Sequence, residues 1–180
     1  EYCIMRKLKL VELGRISVEA FKASDKIPVA VVLDNIRSMH NIGSVFRTSD
    51  AFRIEKIYLF GITAKPPHKE IRKTALGATE SVNWEYFEDT IELILKLKKE
   101  NYRMIAVEQT ESSKSLVDFE LKFDEKYAVI FGNEVDGVQQ EVVNLSDNCI
   151  EIPQEGTKHS LNVSVCAGIV LWEFFKNYDF

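Results

Sequence analysis

Ser160, Asn162 and Ser164 alternate with Leu161 and Val163, after the breakers Pro153 and Gly156 and before an apolar run that ends in Trp172. One polar side chain suffices to cap a helix. Three are more than a cap needs, and a helix N-terminus dense in hydroxyls and amides offers free N–H groups and a positive dipole end to a polar ligand. The competing reading is an over-provided cap on a core helix, and this stretch alone leaves the two level. Two further stretches share the character. Asn35 to Arg47 carries Arg37, His40, Asn41 and Arg47, and Gly132-Asn133-Glu134-Val135-Asp136-Gly137 follows directly on Tyr127-Ala128-Val129-Ile130-Phe131. Glycines just after a strand let the backbone approach a ligand closely, although Gly132 and Gly137 taken alone fit ordinary turn chemistry. A glycine- and amide-rich set with one Arg and one Glu suits holding a small polar cofactor and orienting an anionic substrate.

Other chemistries lack their residues. No Gly-x-Gly-x-x-Gly follows the first apolar run, no Gly-Lys-Ser/Thr marks a phosphate loop, and no Gly-x-Ser-x-Gly elbow is present. His40, His68 and His159 are scattered without metal-ligand spacing, so no metal is expected.

The elements that must position these residues alternate in type. Val29–Leu33 and Tyr127–Phe131 are continuous apolar runs, as strands buried on both faces require. Ile57–Phe60, Val82–Phe87, Tyr102–Val107 and Cys149–Ile152 are predicted as further strands. Helices are expected over Met5–Leu13, with Met5, Leu8, Val11 and Ile4 on one face, over a turn at Ser17–Ala23, and from Asn41 as N-cap. Others are expected from the cap Asp89 to Lys99, over Gln139–Leu145, and over Leu161–Lys176. Strands alternating with helices imply an α/β fold with a mainly parallel sheet flanked by helices. In open sheets of this kind, ligands sit beyond the carboxyl ends of the strands, where all three polar stretches lie. Residues 1–27 form a short helical segment and 28–180 the main domain.

The chain of 180 residues is 46% hydrophobic, enough for one cored domain. No apolar run reaches the length a bilayer demands. Cys3, Cys149 and Cys166 are odd in number and far apart, which fits reduced thiols and a cytoplasmic setting. The net charge is −5, yet Arg37 to Lys73 holds eight Lys/Arg against three Asp/Glu, while Thr74 to Glu155 holds seven against eighteen. A basic zone on an acidic body is compatible with phosphate binding, and also with a solvated charged surface. Arg37, His40, Arg53, Lys65, Lys69, Arg72 and Lys73 are the candidate phosphate contacts.

Taken together, Asn41-Ile42-Gly43-Ser44-Val45-Phe46-Arg47-Thr48, Ile130-Phe131-Gly132-Asn133-Glu134-Val135-Asp136-Gly137, and Ile152-Pro153 through Ser160-Leu161-Asn162-Val163-Ser164-Val165 resemble the three motifs of the SpoU (TrmH) family of RNA 2′-O-ribose methyltransferases, in the SPOUT superfamily. The likeness spans roughly Pro28 to Phe175, and Gln154 departs from it, since the family often has Met after the Pro. It implies a deep C-terminal trefoil knot, S-adenosylmethionine as cofactor, and a homodimer with the last helix at the interface. Ile169, Val170, Trp172, Phe174 and Phe175 are candidates for that interface, with core packing the alternative for most. Cofactor contacts are expected from Val107, Glu108, Thr110, Phe131, Gly132, Asn133, Gly137, Ile152, Pro153, Leu161 and Asn162. The resemblance puts Arg47 at the ribose proton, with Asn41, Glu134, Ser160 and Asn162 orienting groups around it. Guanidinium is a poor base, so Arg47 is either a base or an electrostatic clamp. The expected activity is methyl transfer to a ribose 2′-hydroxyl of structured RNA, tRNA favoured over rRNA because residues before Pro28 are too few for a separate RNA-binding domain. Methylation of a base nitrogen and non-catalytic binding of RNA or cofactor are the alternatives.

Overall fold

Strand β1 (Ile27–Asp34) hydrogen-bonds in parallel to β2 (Ile54–Phe60) on one side and to β6 (Lys126–Phe131) on the other. That central place explains its unbroken apolar run: Val29, Val31 and Leu33 face one layer of helices, and Ala30 and Val32 face the other. A computed structural model describes residues 5–176 and residue 178 of the chain. With β3 (Trp84–Phe87), β4 (Tyr102–Val107), β5 (Lys114–Ser115) and β7 (Asn148–Glu151), the strands form one seven-stranded sheet in the order β3-β2-β1-β6-β4-β7-β5. Every strand pairing within this sheet is parallel.

The helices are α1 (Val18–Ala23), α2 (Met39–Ala51), α3 (Lys69–Ala75), α4 (Ala78–Ser81), α5 (Thr90–Lys99), α6 (Gln140–Leu145) and α7 (Val163–Phe175). One face of the sheet buries Ile42 and Phe46 of α2 with Leu171 and Phe174 of α7. The other buries Leu93, Ile94 and Leu97 of α5 with Val142 of α6. Asp89 caps α5 by accepting from the N–H groups of Ile91 and Glu92, as expected. Because the strands are parallel, the loops after β1, β4, β6 and β7 leave from one edge. Leu33 pairs with Phe131, Phe131 with Val107, and Val107 with Ile150, so these four strand ends lie side by side.

Four expectations are corrected. Residues 5–9 are not helical; only Leu10–Leu13 forms a 3-10 turn, and it buries none of its residues among the described residues. Cys3 and Ile4 lie outside the described residues. Helix α2 begins earlier than Asn41, with Ser38 as its N-cap accepting from Asn41 N–H. The last helix starts at Val163 with Asn162 as cap. Strand β5, two residues long, was not predicted; pairing with β7 defines it, not its own composition.

Candidate active site

The loops after β4, β6 and β7 and the first turns of α7 enclose an open cavity of about 520 Å³ at the carboxyl edge of the sheet. That lies within the roughly 300–1,000 Å³ of small-molecule sites. Its floor is apolar, from Val107, Phe131, Ile152, Leu161, Val163 and Cys166, and its rim is polar, from Glu108, Gln109, Asn133, Glu134, Ser160 and Asn162.

The rim is built by cross-loop hydrogen bonds. Glu134 accepts from Arg37 N–H at 3.0 Å, Ser38 N–H at 3.1 Å and the Asn41 side-chain amide at 3.2 Å. Asn162 donates from Nδ2 to Asn41 Oδ1 at 3.2 Å. Its own Oδ1 caps α7, accepting from Ser164 N–H at 2.9 Å and Val165 N–H at 3.4 Å, and from Ser164 Oγ at 2.7 Å. The extra polarity seen in the sequence therefore divides. Ser164 belongs to the cap, while Asn162 serves both cap and rim. Partial burial pushes the Glu134 carboxyl up, but the N–H groups of Arg37 and Ser38 and its own N–H outweigh it, together with the Asn41 amide. The carboxyl is held below its ordinary value and carries charge at neutral pH.

The Gly132–Gly137 loop is tied down by hydrogen bonds at both ends. Asn133 and Gly137 exchange backbone hydrogen bonds at 2.9 and 3.0 Å. Asn133 Oδ1 accepts from Val135 N–H at 2.8 Å, and its Nδ2 donates to Asn35 O at 2.7 Å. A Cβ on Gly132 would lie 2.1 Å from Gly137 C and Val138 N, so glycine is required by close backbone approach. Gly137 adopts φ 71° and packs on the carboxylate of Glu108, which accepts from Val138 N–H at 2.9 Å. Gln109 Nε2 donates to His159 O at 2.8 Å and ties the exposed 153–161 loop to the end of β4.

Nine of the residues expected at a cofactor thus border the cavity: Val107, Glu108, Phe131, Gly132, Asn133, Gly137, Ile152, Leu161 and Asn162. Thr110 and Pro153 do not. Of the expected catalytic set, Glu134, Ser160 and Asn162 border it and Asn41 is bonded to two of them. Arg47 stands apart. It is exposed on α2, six residues after Asn41, which on a helix is about 9 Å along the axis and about 120° around it. The chain's own cavity is not lined by it. His159, Val163 and Cys166 were not anticipated. Cys166 lies one turn after Asn162, and that i, i+4 spacing was the available signal. Burial, then the charge of Glu108, pushes its thiol up to about 11.

The chain matches the model of the SpoU rRNA Methylase family over residues 28–172. It belongs to that family. A tRNA (guanosine(18)-2′-O)-methyltransferase of Aquifex aeolicus is 33% identical over 150 residues, covering 79% of this chain and 66% of the relative. A 23S rRNA (guanosine-2′-O-)-methyltransferase of Vibrio parahaemolyticus is 26% identical over 171 residues, covering 94% of this chain and 68% of that one. An AdoMet-bound rRNA methyltransferase from Sinorhizobium meliloti superposes with a TM-score of 0.78 at 24% identity, over 87% of this chain and 59% of the other. That likeness bears on fold alone, and the chain spans little more than half of that structure's length. The parallel sheet flanked by helices is the architecture of the SpoU methyltransferases.

The basic residues divide spatially. Lys69, Arg72 and Lys73 lie on α3, which docks tightly on α2: Thr74 Oγ1 donates to His40 O at 2.9 Å, and a Cβ on Gly43 would meet Ile71 O at 2.3 Å. His40 contacts Glu70 at 2.9 Å, and Glu70 also pairs with Lys73 at 2.8 Å. Lys65 sits over the Tyr86 ring at 4.0 Å, and Arg37 lies in the β1–α2 loop. Arg53 precedes β2, at the amino end of that strand, while Lys65 and Lys69 follow its carboxyl end, about 20 Å of strand away. The basic zone is therefore split, with Arg53 apart from Lys65, Lys69, Arg72 and Lys73. No group of His, Cys, Asp and Glu among the described residues has the arrangement of a metal site. No described helix is long and apolar enough to cross a membrane.

Proposed function

We propose that the chain transfers a methyl group from S-adenosylmethionine to a ribose 2′-hydroxyl of structured RNA, tRNA or rRNA. The observation that carries this is the hydrogen-bonded series Glu134–Asn41–Asn162, which joins the three family motifs at the rim of one cavity of cofactor size. The relatives named above act on tRNA and on 23S rRNA ribose, and one solved neighbour holds AdoMet.

The cavity fits the cofactor by its donor set. The apolar floor suits an adenine ring, the half-buried Glu108 carboxylate suits hydroxyl or ammonium donors, and the glycine turn keeps backbone close to whatever lies there. When bound, S-adenosylmethionine supplies an electrophilic methyl whose departure leaves a neutral thioether. The protein's own residues hold the acceptor. Glu134 fixes the start of α2, Asn41 and Asn162 present amides toward the ribose, and alignment of this sort is worth several kcal/mol. Arg47 acts as a clamp: its charge favours the 2′-oxyanion as the proton leaves to solvent, and its fork holds a phosphate.

Arg47 does not line this chain's own cavity, and in this reading a second copy supplies it there. Val165, Ile169 and Trp172 are 52%, 41% and 51% exposed along one side of α7, beginning beside Leu161 of the cavity. We read this stripe as a homodimer surface; Val170 and Phe174, also candidates, are core, and Phe175 stacks on Phe52. The knot is part of the same reading. Strand β7 lies between β4 and β5, whereas α7 packs beside α2 across the sheet, so the intervening segment crosses the loops after β4 and β6. Division into residues 1–27 and 28–180 and a cytoplasmic setting, where the free thiols Cys149 and Cys166 stay reduced, complete the proposal.

Incubating the protein with bulk RNA and methyl-labelled S-adenosylmethionine tests it. Label should enter RNA, and the labelled linkage should resist alkali. Label at an alkali-sensitive position points to a base nitrogen instead, and no label at all removes the proposal.

A further inference from the structure

Glu70 stands between donors from two helices. Its Oε2 lies 2.9 Å from His40 Nε2 on α2, and its Oε1 and Oε2 lie 2.8 and 2.9 Å from Lys73 Nζ on α3. Backbone packing, and not the carboxylate, holds the two helices in this register. Thr74 Oγ1 donates to His40 O, and a Cβ on Gly43 would meet Thr74 Oγ1 at 2.1 Å and Ile71 O at 2.3 Å. His40 and Lys73 therefore stay neighbours with or without Glu70. All three reach solvent, the side chains of His40 and Lys73 being 58% and 54% exposed and that of Glu70 34%. Hydrogen bonds from Lys73, then from His40, hold the Glu70 carboxyl below its ordinary value, so it is ionised at neutral pH. On α2, Ser44 and Arg47 follow His40 at i+4 and i+7. Arg47 thus shares the His40 face, about 10 Å further along the helix.

We infer that His40 and Lys73 form a subsite for a backbone phosphate of the RNA, that Glu70 fills it in the free chain, and that the phosphate displaces Glu70. The inference rests on the methyl-transfer reading only for the identity of the polyanion. A carboxylate and a phosphodiester are both oxyanions, and each accepts charge-assisted hydrogen bonds from the same donors. Lys73 donates as an ammonium, and His40 Nε2 can donate from a neutral or a charged ring. Ion pairs as exposed as these are weak, so Glu70 is readily replaced by a strand that brings a row of charges and sheds counterions as it binds. Glu70 is then an internal competitor. It weakens the hold on every strand alike, because phosphate contacts position RNA without reading sequence. A strand seated here lies on the face of α2 that leads to Arg47.

The test is binding of bulk tRNA to the full chain, with S-adenosylhomocysteine present, followed by fluorescence anisotropy over a salt series. Glu70→Gln should bind about two- to tenfold tighter than the wild type. Its affinity should also fall more steeply with salt, because no freed carboxylate takes up a cation while the RNA sheds its own. The gain should vanish when His40→Phe and Lys73→Met are both present, since Glu70 acts through those two side chains. Glu80, exposed on α4 and outside the trio, controls for net charge, and Glu80→Gln should gain less than about twofold. Unchanged affinity in Glu70→Gln, an equal gain in Glu80→Gln, or a gain that survives the loss of His40 and Lys73 overturns the inference. The expected binding pattern without methyl transfer to any RNA would remove the methyl-transfer reading and leave the subsite. Methyl transfer with tRNA affinity unmoved by Glu70→Gln would do the reverse.

Discussion

Asn162 donates its side-chain amide to the carbonyl oxygen of Asn41, at 3.2 Å and across 121 positions of sequence, while its own carbonyl oxygen caps α7. The two jobs use different atoms, so they separate by substitution. Asn162→Asp keeps an acceptor for the cap and loses the donor to Asn41. It also brings a charge near Glu134. It should unfold at a temperature within a few degrees of the wild type, since a cap is worth about 1 kcal/mol and is retained, yet lose at least about tenfold in methyl transfer. Asn162→Ala should lose both. Thermal unfolding beside a rate measurement resolves the pair; parallel losses in Asn162→Asp would show that the rim contact has no part in turnover.

Arg47 gives a subunit-level prediction. Arg47→Ala should abolish transfer and leave S-adenosylhomocysteine binding intact, since Arg47 does not line the cavity of its own chain described above. If it serves the other copy's cavity, mixing Arg47→Ala with Asn162→Asp subunits rebuilds one complete site per heterodimer. Random exchange then restores about a quarter of wild-type activity. A mixture as inactive as its components would put Arg47 to work within its own chain.

What the sequence discloses depends on how local the cause is. The runs at β1, β4 and β6 and the cap at Asp89 were legible because burial and capping act within a few residues. The start of α2 was not. Ser38 and Asn41 both precede the same apolar series, and the choice is made by Glu134, which holds the N–H groups of Arg37 and Ser38 from far along the chain. Most of the residues that the resemblance named for a cofactor border the cavity, whereas Cys166 was not named: it reaches the cavity because α7 starts there, one turn after Asn162. The split of the basic zone was invisible for a similar reason: residues near in sequence lie at opposite ends of β2.

Two glycines should behave oppositely. Gly132→Ala forces a methyl to within 2.1 Å of backbone at Gly137 and Val138, which cannot rotate away. It should cost about 1–3 kcal/mol and weaken cofactor binding. Gly168 lies inside α7 with nothing within 4 Å of an added Cβ. Gly168→Ala should stabilise by about 0.5–1 kcal/mol through helix propensity. Urea midpoints of the two variants check both signs at once.

Glu134 ties stability to pH. Its carboxyl is held below the ordinary value in the folded chain by N–H donors that overcome partial burial. A depressed folded pKa means that the unfolded chain takes up the proton first, so the stabilisation is complete above the unfolded value of about 4.5 and is lost as pH falls through the lower folded one. Glu134→Gln turns an amide donor toward the N–H groups of Arg37 and Ser38 and should cost about 1–2 kcal/mol at pH 7. Below about pH 4.5 the wild type begins to lose what the variant lacks, so the gap between their urea midpoints should narrow. A gap that stays constant from pH 7 to pH 3 would mean that the Glu134 charge contributes nothing to holding β6 and α2 together.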